Sequence, residues 1–270
     1  MSRARSGAYG FAGIACAILL SQLSCNKNPA STPIDNLVIK LIDSPATLDQ
    51  EVIVMRRIEV HKSGSPAELD WRVINGQVAT YDLLKFRNGV TQVIASTYVP
   101  PGSYGAIRIT FEGSYVWTGG KYILLDLPSG VAGGFVIEYP LVVEANNTYE
   151  LVFDFDASRS VHQTSPTTYT LNPVFRIQDA SIAGSIAGAV VSADSLKPVD
   201  CLVESSVGTD PVATSPDLTT GSFQLGALPE GAYNITIVSP DSVFKDTTLS
   251  NIQVLRQRQT SIGVVGLLRR

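Results

Sequence analysis

A two-residue hydrophobic period constrains the fold of this chain more than any other feature. Apolar and polar residues alternate in short runs, the longest at residues 107–117, and turn signals such as 100–103 and 119–120 separate them. Such alternation buries one face of a β-strand, and no segment longer than a turn or two has helical periodicity. The hydrophobic fraction of 44% supplies ample core material. The sequence therefore predicts an all-β protein.

The sequence leaves undecided whether the last residues of the longest alternating run face the core or the surface. Ile107, Ile109 and Phe111 share a parity with Tyr115 and Trp117, which predicts that all five belong to the core. A bulge at residues 113–114 would instead turn the last two outward. Residues 82–86 fit either a strand end or one helical turn.

Asp154 and Asp156 alternate with apolar residues near the end of another predicted strand. Their spacing along one face is compatible with a Ca²⁺ site or with paired catalytic carboxylates. We favour a solvated face or hydrogen bonds to a neighbouring loop, because no glycine-rich ligand loop accompanies them. We expect no bound metal and no cofactor.

The amino terminus has the layout of an export signal. Arg3 and Arg5 precede an apolar stretch over residues 10–20, about half of the roughly 20 residues that a spanning helix needs. The segment that ends at Cys25 resembles a bacterial lipobox, which implies a signal peptide over 1–24 and acylation of Cys25. Cleavage without lipid and a retained anchor are the alternatives. Polar residues 25–35 then form a flexible tether.

Two domains are predicted after the tether. Small residues and turns increase after residues 178–183, which divides the chain into domains at 36–180 and 181–270. A proline–glycine turn followed by tyrosine occurs in each, at 101–104 and 229–233. The tyrosine ring can cover the edge of a sandwich while its hydroxyl bonds backward to the chain. Convergent turn chemistry explains the recurrence as well as related folds do.

Two family resemblances cover nearly the whole exported chain. Residues 184–238, with the specific run 221–233, resemble the carboxypeptidase regulatory-like (transthyretin-like) domain, which implies an accessory β-sandwich related to carbohydrate-binding folds. Residues 36–178 resemble domain of unknown function 4382, most specifically at 152–161. These resemblances imply two sandwiches of immunoglobulin or transthyretin type, and neither implies a reaction.

Composition and motifs exclude several function classes. A net charge of −4 without a basic stripe argues against nucleic-acid binding. The sequence has no zinc-protease, nucleophile-elbow or phosphate-loop motif, and its histidines, His61 and His162, stand apart. We interpret Cys201 as a small buried hydrophobic residue. The chain is therefore predicted not to be an enzyme.

The preferred function is that of a lipid-anchored envelope protein that binds a glycan or another envelope component. The residue after Cys25 is not Asp, and in this respect the sequence resembles lipoproteins that are sorted to the outer membrane. The membrane is therefore the expected partner of the lipid anchor. Candidate ligand-binding residues are Trp71, Trp117 and Tyr122. Flat aromatic rings stack on sugars, and these three residues lie near the loops or turns that interrupt the predicted strands. The alternatives are a structural spacer or adhesion-type module, and an unrecognised hydrolase.

Overall fold

The computed structural model describes residues 34–44, 49–208, 210–240 and 243–270, and within these ranges the chain is almost entirely β-structure. The first thirteen strands run as follows: β1 Leu37–Ser44, β2 Gln50–Lys62, β3 Trp71–Asn75, β4 Ala79–Asp82, β5 Gln92–Thr97, β6 Gly102–Phe111, β7 Tyr115–Thr118, β8 Lys121–Asp126, β9 Phe135–Val143, β10 Tyr149–Asp156, β11 Val161–Ser165, β12 Thr168–Leu171 and β13 Phe175–Asp179. Short helices α1 and α2 span Ser129–Ala132 and Ala157–Ser160, and residues 83–85 form one 3₁₀ turn, which decides the ambiguity at 82–86.

The remaining strands are β14 Ala183–Ser192, β15 Leu202–Val207, β16 Asp210–Thr214, β17 Ser222–Pro229, β18 Gly231–Val238, β19 Thr247–Val254 and β20 Gln259–Leu267. The predicted all-β class is confirmed. None of the helices in the described ranges combines the length and apolar character needed to cross a membrane.

Strands β1–β13 form two sheets around one core. One sheet has the order β13-β10-β1-β5, and the other has the order β11-β12-β8-β7-β2-β6-β9, with β3 and β4 also paired to β2. Both sheets contribute to one buried apolar cluster, in which Leu37, Ile39, Leu41 and Phe153 are wholly inaccessible to solvent. Their spacing of two along β1 is the alternation that the sequence displays.

Strands β14–β20 form a second sandwich. Its sheets have the orders β17-β14-β20 and β16-β15-β18-β19 and enclose a separate cluster that includes Phe223 and Ile235. Among the described residues, no strand of β1–β13 pairs with a strand of β14–β20. Residues 34–270 nevertheless form one compact unit. The domain boundary between residues 180 and 181 stays a prediction.

The repeated turn forms the predicted tyrosine contact twice. The Tyr104 hydroxyl donates to the Pro100 carbonyl at 2.9 Å, and the Tyr233 hydroxyl donates to the Pro229 carbonyl at 2.8 Å. Both rings are buried. Each hydroxyl thus closes the turn at the start of a core strand, the arrangement of a tyrosine corner in β-sandwiches.

Candidate functional site

The β7–β8 hairpin carries an exposed aromatic face. Register pairs Tyr115 with Leu124 and Trp117 with Tyr122, so the four side chains share one side of the hairpin. Trp117 is 42% exposed, Tyr122 52% and Leu124 55%, and the Tyr115 and Tyr122 rings are 4.4 Å apart. We call these four residues the aromatic platform.

The prediction that Tyr115 and Trp117 belong to the core was wrong. Gly113, at φ +56°, interrupts the strand before them, and Ser114 is buried in their place, where its hydroxyl accepts from the Val54 amide at 3.0 Å. The interruption moves the inward parity to Val116, which is fully buried. A one-residue change of parity exchanges the two faces of a strand, which puts Trp117 on the surface.

A glycine turn holds the hairpin. Gly119 and Gly120 have φ of +54° and +73°, the combination that a two-residue hairpin turn with right-handed twist requires. The Gly119 amide donates to the Asp49 carboxylate at 3.1 Å, which attaches the tip to the chain preceding β2. Exposed Lys121 follows the turn. The platform is therefore a paired strand surface with a polar end.

Trp71 lies away from the platform. It pairs with His61 near the far end of β2, whereas Trp117 pairs with Gln50 at the near end. Strand rise puts these positions roughly 35 Å apart. The Trp71 ring lies 4.1 Å from the Arg108 guanidinium, and its indole N–H donates to a backbone carbonyl at 2.6 Å. The structure thus groups two of the three predicted ligand-binding residues and separates the third.

Of the two interpretations given for Asp154 and Asp156, the solvated face was wrong, whereas hydrogen bonds to a neighbouring segment are present at Asp156. Both are buried. Asp154 forms an ion pair with Arg176 at 2.6 Å, and Asp156 accepts from the Arg159 side chain at 2.6 Å and from its backbone amide at 2.9 Å. Strand β13 and α2 supply these partners, which the alternation along β10 does not reveal. Asp156 is thereby the N-cap of α2.

A cleft of about 1420 Å³ opens elsewhere on the surface. Its walls include residues of both sandwiches, among them Arg87, Asp156, Arg159, Asp200, Cys201, Glu204, Asp217 and Phe223. Burial, followed by the charge of Asp200, raises the pKa of Cys201 to about 12, so the thiol is a poor nucleophile. Hydrogen bonds from the amide and hydroxyl of Thr220 lower the pKa of Asp217, which disfavours a general acid there.

Two further kinds of site are a bound metal ion and the predicted lipid-modified cysteine. Within the described ranges, no group of three or more His, Cys, Asp or Glu side chains is arranged to hold a metal ion. Cys25 lies outside the described residues, as do the predicted signal peptide and most of the tether. Acylation therefore stays a prediction.

Comparison with known proteins identifies a family and a distant set of structures. The family model described as "Domain of unknown function (DUF4382)" matches residues 36–173. No curated protein matches the chain. A minor pilin of Streptococcus agalactiae is 12% identical over 86% of this chain and 96% of its own, with a TM-score of 0.26. The shaft pilin SpaA of Lactobacillus rhamnosus GG is 10% identical over 88% and 98%, also at 0.26. Similarity at this level carries no functional argument.

Proposed function

This chain belongs to the DUF4382 family, and we propose that it is a non-enzymatic envelope protein that binds a glycan chain on its aromatic platform. The observation that carries the proposal is the exposure of Trp117 and Tyr122 as a cross-strand pair on one face. The opposite face of the same hairpin, with Val116 and Leu125, supplies the core contacts. Folding therefore does not account for the outward rings.

The chemistry of the platform suits sugars. A pyranose presents a face of C–H groups that packs against an aromatic ring, and its hydroxyls need hydrogen-bonding groups at the edges. Tyrosine and tryptophan combine large apolar area with a polar atom, which is why they are enriched at binding surfaces. The Tyr122 hydroxyl and the Lys121 ammonium are available near the hairpin turn. An open, shallow surface also suits a polymer better than a small metabolite.

Export and attachment form the second part of the proposal. The apolar leader and the lipobox-like segment ending at Cys25 support an outer-membrane lipoprotein. Several acyl chains at roughly 0.8 kcal/mol per buried methylene would make attachment effectively permanent. Cell fractionation tests this part: the wild type should sediment with membranes and Cys25→Ala should be released. Membrane retention of the variant would contradict lipidation at Cys25.

The two tryptophans of the chain provide matched variants for the glycan test. The purified protein is applied to a glycan array, and affinity for the best glycan is then measured by titration. Trp117→Ala and Tyr122→Ala should each weaken binding about tenfold, the equivalent of 1.4 kcal/mol, because each removes one stacking ring. Trp71→Ala should leave affinity unchanged in the folded fraction.

Fluorescence gives an independent readout. In Trp71→Phe, emission comes from Trp117 as the single tryptophan, and glycan should shift or quench it. In Trp117→Phe, emission from Trp71 should not respond. If both platform variants keep wild-type affinity, glycan binding at this face is refuted.

A structural spacer is the alternative that a specific contact favours. Arg176, on β13, donates to the carbonyls of Ala227 and Gly226 on β17, the latter at 3.4 Å, and Thr214 donates to Asn88 at 2.9 Å. These bonds join residues of the two sandwiches. Intact membrane attachment without any glycan binding would support this alternative.

Hydrolysis is disfavoured because the carboxyl groups with raised pKa values, Asp43 and Glu51, are buried and absent from the large cleft.

A further inference from the structure

Four carboxylates converge at one end of the first sandwich. Strands β1 and β10 are parallel neighbours, with Asp43 opposite Phe155 and Ser44 opposite Asp156, so their carboxyl ends coincide. Asp154 lies two residues earlier on β10. Glu51 comes from the start of β2 in the other sheet of the sandwich. Asp43 and Glu51 thus come from the two layers, whereas Asp154 and Asp156 alternate with the core residues Phe153 and Phe155 and lie on the other face of β10.

Asp43 and Glu51 face the interior between the layers. Asp43 continues the inward alternation of β1, and its partner in register, Phe155, is fully buried. Glu51 is in register with Val116, which is fully buried on the inner side of β7. Packed sheets lie about 10 Å apart, a gap that an aspartate and a glutamate from opposite layers largely span.

These two carboxylates differ from their neighbours in how they are neutralised. Asp154 and Asp156 each have an arginine within 2.6 Å. Asp43 is 5% exposed and Glu51 is 0% exposed, and none of their four carboxylate oxygens has a hydrogen-bond partner among the described residues. A buried charge without a partner is among the costliest features that a folded protein can contain.

Either protons or a cation can neutralise this pair. Burial raises the pKa of Glu51 to about 8, with Asp156 adding to the effect, and burial followed by Glu51 and Asp154 raises the pKa of Asp43 despite the opposing field of Arg87. Protonation removes the charge but leaves buried hydroxyl and carbonyl oxygens unsatisfied. A hard cation satisfies all four oxygens at once and removes the repulsion between them.

A small cavity lies beside the carboxylate cluster. A cavity of about 20 Å³ has Asp43 and Asp154 in its walls, together with Phe86, Gly89 and residues of the second sandwich. A volume of roughly 10–15 Å³ is enough for one water-sized occupant. Glu51 does not line this cavity, which therefore adjoins the cluster at Asp43 and Asp154.

We propose that Asp43 and Glu51 bind one divalent cation of the calcium type inside the first sandwich. Calcium accepts carboxylates in monodentate or bidentate mode together with water, in irregular geometry, whereas magnesium demands a near-ideal octahedron. The sequence-based expectation of no bound metal rested on Asp154 and Asp156 as the candidate calcium ligands and on the absence of a zinc motif. Those two residues are engaged with arginines, and the site uses the two acids that are not.

Calcium titration of the purified full-length protein tests the proposal. After treatment with a chelator, calorimetry should show one saturable Ca²⁺ site with a Kd of about 10⁻⁴–10⁻³ M, the range of extracellular modules. Saturating Ca²⁺ should raise the Tm by roughly 5 °C, since a ligand that binds only the folded state stabilises it. Mg²⁺ should bind more weakly.

Neutral isosteric variants locate the site. Asp43→Asn and Glu51→Gln should each abolish the calcium response, and in chelator each should melt no lower than the wild type, because the substitution removes a buried repulsion. Glu112→Gln, at an exposed position, should respond like the wild type. Absence of saturable binding of either ion to the wild-type protein at about 10 mM would overturn the proposal. An unchanged calcium isotherm in folded Asp43→Asn and Glu51→Gln would overturn it as well.

Discussion

Arg176 should be the most sensitive charged residue at the contact between the two sandwiches. Its guanidinium lies 2.6 Å from the Asp154 carboxylate and donates to the carbonyls of Ala227 and Gly226. The side chains of Arg176 and Asp154 are 12% and 9% exposed, so solvent screens their attraction little. One side chain thus neutralises a buried acid of the first sandwich and satisfies backbone oxygens of the second.

Arg176→Met should destabilise the protein by roughly 3–5 kcal/mol. The substitution keeps much of the aliphatic stem, but it removes the positive charge from beside a buried carboxylate, and loss of one partner of a buried pair has this cost. The lost bonds to the two carbonyls act in the same direction. At about 2–4 °C per kcal/mol for a chain of this size, the Tm should fall by roughly 10 °C.

Urea denaturation of a double-mutant cycle measures the effect. Arg176→Met, Asp154→Asn and the double variant are compared with the wild type, and the double variant should be less destabilised than the sum of the single ones. Arg256→Met is the matched control, because its ion pair with Glu230 is exposed at 64% and 46% and should contribute about 0–1 kcal/mol. If Arg176→Met costs no more than this control, the buried-pair argument is refuted.

Phe in place of Tyr104 or Tyr233 removes a hydroxyl that donates to a backbone carbonyl, so each variant should lose about 0.5–1.5 kcal/mol of unfolding free energy in urea. Wild-type stability in both would contradict the corner role. Cys201, with a pKa of about 12, should resist alkylation at pH 8 until the protein unfolds, as peptide mapping would show; rapid labelling of the native thiol would contradict its burial. Hydrogen bonds from Thr220 and Thr219 lower the pKa of Asp217, so this turn should stabilise the fold above the usual carboxyl pKa and lose that contribution as the pH falls through the lowered value. Carboxyl NMR titration should place the pKa below its usual range, with Thr220→Val moving it partway back, and an unshifted wild-type value would contradict the assignment.

Much of the fold could be predicted from interactions between residues that are close in the sequence. The inward alternation of β1 follows from sequence because hydrophobic side chains at a spacing of two have one way to be buried together. The contacts of Tyr104 and Tyr233 could be predicted because a hydroxyl four residues after a carbonyl, across a proline–glycine turn, has its partner within the same short segment. Contacts between residues a few positions apart can therefore be predicted from the amino-acid sequence alone.

The candidate sites depended on tertiary structure. Whether Trp117 faces the core or the surface depends on whether the chain at Gly113 inserts one residue into the alternation. Pairing with β2 and burial of Ser114 decide this register. Asp154 acquired its arginine from β13, 22 residues later in the chain. Asp43 and Glu51 are close in sequence, yet only the packing of two sheets turns both carboxylates into one interior, where burial makes their charge expensive.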